Sequence, residues 1–288
     1  MPNNSRPMEL ANVIIFSKDR AAQLDALLRS VREKVEDWQR RGCWTVIYKA
    51  SSPEFAAAYE QLKQEHYSPA LEFIDESTSD SAFKSIVVNT LKQQHQRNAA
   101  QWCTFLVDDM IFKSPWPVAD SKAMQRLKDD ARVLCFSMRL CPRYRFCYAE
   151  NRRVRPPFMA RYGCWNWRRA SGDWGYPMSV DGHVFRYADL IPLVEQIEFR
   201  HPNSFEDELS KRPLMQRPLM TCNPEAIVVN LPINRVQHEF KNRAGEEHGI
   251  SAETLNAAYL NGKRVNLEPV YALTDNRGCH HEMPIQLI

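Results

Sequence analysis

The sequence predicts a single large α/β domain with a mostly parallel central sheet and helices on both faces. Three observations carry that expectation. Short β-branched runs alternate with segments whose apolar residues recur at helical spacing, from residue 12 to residue 140. The strands among them read as near-continuous apolar runs, as strands covered on both faces do. Finally, the run Cys103-Thr104-Phe105-Leu106-Val107 ends in Asp108-Asp109 before apolar residues resume at Met110-Ile111-Phe112. Two acids inside an apolar run are costly to bury unless they are paired or bound to a cation. At the mouth of an open α/β sheet they become a ligand site.

The bulk numbers narrow the class. The 288-residue chain is 44% hydrophobic and 25% charged, as ordinary globular proteins are. A formal charge of +3 is too small to imply nucleic-acid binding by itself. The eight cysteines are scattered without a CxxC pair and read as reduced and mostly buried. No signal-peptide pattern opens the chain, and no apolar run approaches the roughly 20 residues that span a bilayer. A cytoplasmic enzyme is expected, with attachment to a membrane surface left open.

In chain order, residues 1–10 are expected to fray, residues 11–115 to form a first half and residues 116–288 a second half continuous with it. Asn12-Val13-Ile14-Ile15-Phe16 is a buried strand, broken by Ser17-Lys18-Asp19-Arg20. Leu24, Leu27, Leu28 and Val31 then follow at helical spacing, with Asp19 as the expected cap. Arg20, at the helix start, either meets an anion or is a solvated surface arginine. Residues 44–48 form the next strand, and Ser52-Pro53 caps a helix carrying Phe55, Tyr59 and Leu62. Residues 71–74 form a third strand ending at Asp75-Glu76, after which Ser81 caps a helix bearing Lys84. No glycine-rich phosphate loop follows any strand, which counts against a P-loop NTPase and a typical dinucleotide dehydrogenase.

Beyond a helix with Met124 and Leu127, residues 132–140 read as a strand. From Arg143 to Arg169 arginines interleave with aromatics, offset only by Glu150. Such a stretch either stacks on sugars or bases and holds phosphates, or packs its rings inward while its arginines snorkel. The turn-rich Gly172-Asp173-Trp174-Gly175-Tyr176-Pro177 precedes Asp181-Gly182-His183. Ser204 and Asp207 have capping-box-like spacing at a helix start that also carries Glu206. Residues 226–230 are a further strand, and a helix over residues 251–260 is closed by Gly262. In the tail, His280 and His281 are adjacent, and on a strand they would point apart.

The order of these motifs resembles that of the nucleotide-sugar glycosyltransferases of the A-type (GT-A) fold, family 2-like. Phe16-Ser17-Lys18-Asp19-Arg20 is similar to their first nucleotide-side loop, and Phe105-Leu106-Val107-Asp108-Asp109 to their acidic motif. Asp173 to Pro177 with Asp181-Gly182-His183 looks like their acceptor region, and Phe205-Glu206-Asp207 like their segment bearing the catalytic base. The resemblance implies transfer of a sugar from a nucleoside diphosphate, a UDP-sugar in the first instance, to a glycan or other hydroxyl acceptor, without nucleic acid. It further implies Ser17, Asp19, Arg20, Asp75, Lys84 and Asp108 at the nucleotide sugar, and Trp174, Tyr176, Asp181 and His183 at the acceptor. Glu206 or Asp207 would be the base, and Asp109 with His238 would hold a divalent metal, Mn²⁺ or Mg²⁺. The usual motif ends in a further aspartate, where this chain has Met110, a thioether poorly suited to either ion. A non-catalytic nucleotide or sugar binder on the same fold is therefore an alternative, as is a nucleic-acid-binding protein using residues 143–169.

Overall fold

The computed structural model describes residues 11–78, 82–116, 121–159, 163–237, 243–274 and 278–288. Alternation along β1 (Ala11–Lys18) sets its layout. Val13 and Ile15 enter one apolar cluster, and Ile14 and Phe16 enter another on the opposite face. Helix α1 (Ala21–Lys34), β2 (Trp44–Lys49), α2 (Pro53–Glu65), β3 (Leu71–Asp75) and α3 (Phe83–Asn98) continue the alternating pattern. Next come β4 (Trp102–Val107), β5 (Met110–Phe112), α4 (Lys122–Asp129) and β6 (Val133–Ser137). The hairpin β7 (Phe146–Cys147) and β8 (Arg152–Arg153) leads to β9 (Cys164–Asn166), β10 (His183–Arg186), α5 (Tyr187–Gln196) and α6 (Pro202–Ser210). β11 (Leu219–Cys222), β12 (Val228–Asn230), α7 (Ala252–Leu260) and α8 (Glu268–Tyr271) complete the order.

The eight-stranded sheet runs β3-β2-β1-β4-β10-β6-β11-β9. Only β10 and β9 oppose the common direction: β10 is antiparallel to both β4 and β6, and β9 to β11. Helices α1, α2, α4 and α7 bury Leu27, Leu62, Met124 and Leu255 on one face, while α3, α5 and α6 bury Val87, Val194 and Phe205 on the other. The architecture read from the sequence, an α/β domain with a mostly parallel sheet covered on both faces, is the one observed. Because β10 lies between β4 and β6, one sheet carries strands from both halves of the chain.

Several local expectations change. The acidic run is a strand, a turn and a second strand. Asp108-Asp109 forms the turn, and β5 leaves the main sheet to pair antiparallel with β12. Ser30 Oγ of α1 accepts the Phe112 N–H at 3.0 Å, so the diverging strand keeps its hydrogen bonding. Asp19 does not cap α1. It adopts φ +56°, a left-handed conformation that aspartate tolerates, and accepts the Ser51 N–H at 2.7 Å. Ser81 lies outside the described residues, and Ala82 occupies the N-cap position of α3. The cap of α6 is His201, whose Nδ1 accepts from the Ser204 N–H while Ser204 Oγ accepts from the His201 N–H. That places Glu206 beyond the first turn. In the 143–169 stretch Tyr144, Tyr148, Trp165 and Trp167 turn inward, and Arg143, Arg152, Arg153, Arg168 and Arg169 stay exposed; Arg161 and Tyr162 lie outside the described residues.

Two packing features position the site. Phe205 stands edge-on to Phe105 at 5.1 Å and to Phe16 at 6.2 Å, which locks α6 against β4 and β1 and fixes the neighbouring Glu206. Gly182, at φ +69°, donates to Phe105 O, and a Cβ there would stand 2.8 Å from Met110 Cε and 3.1 Å from Val228 Cγ2. Gly182→Ala should therefore lower the denaturation midpoint, by about 1–3 kcal/mol at an unchanged m-value. A midpoint equal to the parent's would show that the turn does not need glycine.

Candidate active site

The carboxyl ends of β1 and β4 meet at one buried ion pair. Arg20 Nη1 lies 3.0 Å from Asp108 Oδ1 and 4.0 Å from Asp109 Oδ2. Its Nε donates to Asn234 Oδ1 at 2.8 Å and its Nη2 to Asn234 O. Ser17 Oγ and the Lys18 N–H both donate to Asp108 Oδ2, and Tyr59 OH joins Ser17 Oγ at 2.6 Å and accepts the Arg20 N–H. Burial pushes the Asp108 carboxyl up, while Arg20 and these donors pull it down. Asp109 has fewer donors: among the described residues Asn230 Nδ2 donates to its Oδ1 at 3.0 Å. Burial, with the Asp108 and Asp181 charges, raises Asp109 to about 7 against the pull of Arg20.

A second acid group stands where β10 begins. Glu206 Oε1 accepts from Ser179 Oγ at 2.9 Å and from the Val180 N–H at 3.1 Å. Burial and the Asp181 charge raise Glu206 to about 7. Asp181 faces Arg139 Nη1 at 3.5 Å and His280 Nε2 at 3.8 Å, and Arg139 Nη2 reaches Asp173 Oδ1 at 3.1 Å. Tyr144 OH donates to the other oxygen of Asp173. Tyr176 is near enough to Glu206 for that charge, after burial, to raise its phenol. Asp181 thus links the two groups, since its charge acts on both Asp109 and Glu206.

The structure brings together Ser17, Arg20, Asp108, Asp109, Asp181 and Glu206, with Tyr176 beside them. Asp19 adjoins through Ser51. Asp75 ends the edge strand β3, three strands from β4, roughly 14 Å by sheet spacing; it accepts from Ser77 and from Tyr48 OH. Lys84 turns away to pair with Glu198 at 2.6 Å, and Asp207 to pair with Lys211 at 2.6 Å. Trp174 is fully buried between Tyr144 and Trp165. His183 is also fully buried. Its Nδ1 lies 3.1 Å from Pro177 O, and burial holds it near 3, so it is a neutral core histidine. His238 lies outside the described residues. Sequence reasoning missed Tyr59, Asn234, Arg139 and Ser179. Arg139 had a usable signal, an arginine inside the apolar run 133–140; the others sit in ordinary helix or loop patterns.

Acidic side chains gather at two places. Among the described residues, Asp25, Glu65 and His66 alone bring three ligand atoms within 4.8 Å. Their oxygens are already taken: Arg29 and His66 hold Asp25 at 2.8 Å each, and Arg264 and Tyr259 hold Glu65 at 2.6 and 2.8 Å. That trio is an ion-pair network that ties α1, α2 and α7 together. At the acidic turn, Met110 is buried in the core and offers no oxygen. Asp108, Asp109, Asp181, Asp173 and Glu206 lie about Arg20 and Arg139, with His280 beside Asp181. Asp109, which Arg20 approaches only to 4.0 Å, is the carboxylate of the turn that would hold a hard divalent cation.

Beside the acidic turn a cleft of about 550 Å³ is lined by Lys18, Asp19, Ser51, Phe55, Asn234 and Arg235, among others. It shares Asn234 with the Arg20 network.

No protein-family model matches the chain, and no curated protein matches it. Solved structures similar to it include TarS 1–349 of S. aureus in complex with UDP, at 13% identity and TM-score 0.48, covering 76% of this chain and 59% of that one. The same protein in complex with UDP-GlcNAc gives 12% and 0.47, covering 84% and 62%. The mannosyltransferase PcManGT of Pyrobaculum calidifontis, in complex with GDP-Man and Mn²⁺, gives 13% and 0.43, covering 78% and 60%. The chain spans about three-fifths of the length of these structures and 36% of a longer TarS structure. The sheet of this chain has one antiparallel strand between β4 and β6 and paired acids at the end of β4.

Removing Arg20 leaves two buried acids without their cation. Arg20→Met should cost about 3–5 kcal/mol at pH 8. The loss should shrink towards pH 5, because Asp109, already raised to about 7, is then protonated and no longer needs the cation. Denaturant titrations at both pH values check this, and a loss independent of pH would contradict it.

Proposed function

We propose that the chain transfers a glycosyl group from a nucleoside-diphosphate sugar to an acceptor hydroxyl. One observation carries the reading. The Arg20-held acids Asp108 and Asp109 meet at the lip formed by the ends of β1 and β4, and the charge of one further acid, Asp181, reaches both Asp109 and the buried Glu206. A donor-side acid pair and an acceptor-side base are the two parts that a displacement at a sugar carbon requires.

In this reading the nucleoside diphosphate occupies the cleft beside β1. Asp19 lines its wall, Ser17 and Asp108 adjoin it through Arg20 and Asn234, and Asp75 stands further along the same edge towards the nucleoside. Lys18 and Arg235 supply positive charge along the cleft. As the bond to the sugar breaks, its electron pair moves to the bridging phosphate oxygen, and cationic groups lower the energy of that charge. A divalent cation bound at Asp109 would supply further positive charge there. Glu206 accepts the proton of the attacking hydroxyl. Its range of about 7 suits a base that must be ionised yet basic at neutral pH. Asp181 and Tyr176 flank the acceptor. Asp207, turned to Lys211, is the weaker candidate for the base. A UDP-sugar is the donor we favour and a glycan hydroxyl the acceptor. A non-catalytic binder on the same fold is the second reading, favoured by the burial of Met110 where a further oxygen ligand would be expected.

Two measurements test the reading. A thermal-shift panel of UDP, GDP, CMP and dTDP and their sugars should show a rise of a few degrees with one nucleotide, larger with Mn²⁺. Asp109→Ala should lose the Mn²⁺-dependent part. No shift with any of them would remove the donor site from this lip. Once a donor is known, Glu206→Gln should lower kcat by about 10²–10⁴-fold with donor affinity nearly unchanged. An equal loss in both would assign Glu206 to donor binding instead, and binding without turnover in the parent would favour the second reading.

A further inference from the structure

Arg139 is the buried cation of the acid cluster for which neither the sequence motifs nor the proposed reaction has a role. It follows β6 at its carboxyl end and its side chain is 3% exposed. An arginine so deeply buried is retained only with charge partners. Its two ends are held unequally. Asp173 meets Nη2 at 3.1 Å and is itself fixed by Tyr144 OH, both residues lying in the core. Burial pushes Asp173 up, but Arg139, His280 and the hydrogen bonds from Tyr144 and Cys147 together outweigh it and hold that carboxyl below its ordinary range. Asp181 meets Nη1 at only 3.5 Å and is 18% exposed, so it is the end that faces the lip.

We propose that Arg139 is a positioning residue of the transfer reaction: anchored by Asp173, it holds Asp181 in place and sets the charge that Glu206 meets as it accepts the acceptor's proton. The proposal rests on the glycosyl-transfer reading of the site. Four groups face Glu206: Ser179 and the Val180 N–H as donors, Asp181 as a like charge, and Arg139 as the cation; Tyr176 lies close by. Arg139 is faced in turn by Asp173, Asp181, Tyr144 and Cys279. Without the guanidinium, Asp181 stands beside Glu206 and Asp109 with no arginine between them. The Asp181 charge, with His280 as its remaining neighbour, then acts on Glu206 without that cation, and Glu206 spends less time as a base at neutral pH. Lysine keeps the charge but lacks the planar fork that reaches both carboxylates.

The test follows Glu206 directly and through activity. The infrared band of the protonated Glu206 carboxyl, assigned as the one lost in Glu206→Gln, is titrated in the parent and in Arg139→Met. The pH dependence of kcat/KM is measured alongside. Both midpoints should rise by about one pH unit or more in Arg139→Met. Arg139→Lys should keep the parent midpoint while losing about tenfold in kcat/KM. If Arg139→Met fails to fold, the double variant Arg139→Met/Asp173→Asn removes the stranded counter-ion and serves instead. A band that titrates as in the parent overturns the proposal, even where activity falls, because the arginine is then purely structural. A band that moves in a protein with no transfer to any acceptor overturns the glycosyl-transfer reading, and the proposal with it.

Discussion

The ion pair between Arg20 and Asp108 is the interaction on which the rest of the lip depends. It joins the second residue after β1 to the first residue after β4, two neighbouring strands in the middle of the sheet. A lone charge at that depth would cost several kcal/mol, so neither residue is tolerable there without the other. The pair also recruits Asn234, and with it the chain beyond β12, which forms the opposite wall of the cleft. Asp109 is left next to the pair with only a distant share of the arginine. Its raised range follows from that unequal division of one cation between two acids.

The acceptor side repeats the arrangement. Arg139 is shared between a firmly held Asp173 and a loosely held Asp181, as Arg20 is between Asp108 and Asp109. In each pair one acid neutralises the arginine and the other faces the open edge. The charge of Asp181 raises both Asp109 and Glu206, the latter contributed by α6. A site of this kind is poised to bind positive charge or to take up a proton, and both are useful where a diphosphate leaves and a hydroxyl attacks.

The fold was legible to a large extent, and for a physical reason. β-branched runs and helical spacing report burial, and burial on two faces leaves few architectures other than a covered parallel sheet. Asp108-Asp109 was legible because charge inside an apolar run demands a compensating partner. Other expectations failed where chemistry was inferred from residue type alone. Trp174 and His183 look like ligand-binding residues in a turn-rich stretch, yet the sheet encloses both. Lys84 and Asp207 have charges suited to the site, but each finds an opposite charge on the outside first. His201 took the cap expected of Ser204, because an imidazole nitrogen can accept the Ser204 N–H.

By itself, then, the sequence determined the alternation of strands and helices and the acidic turn after β4, since periodicity and misplaced charge are local properties, while Glu206 was a candidate through the order of motifs. Only the tertiary structure decided that Asp108 belongs to Arg20, that the Asp181 charge reaches both Asp109 and Glu206, and that Arg139 pairs with Asp181. Those pairings join residues from 25 to 88 positions apart. Nothing in the spacing of side chains along one strand or helix carries such information, because it arises only when the order of strands in the sheet brings their ends to a common edge.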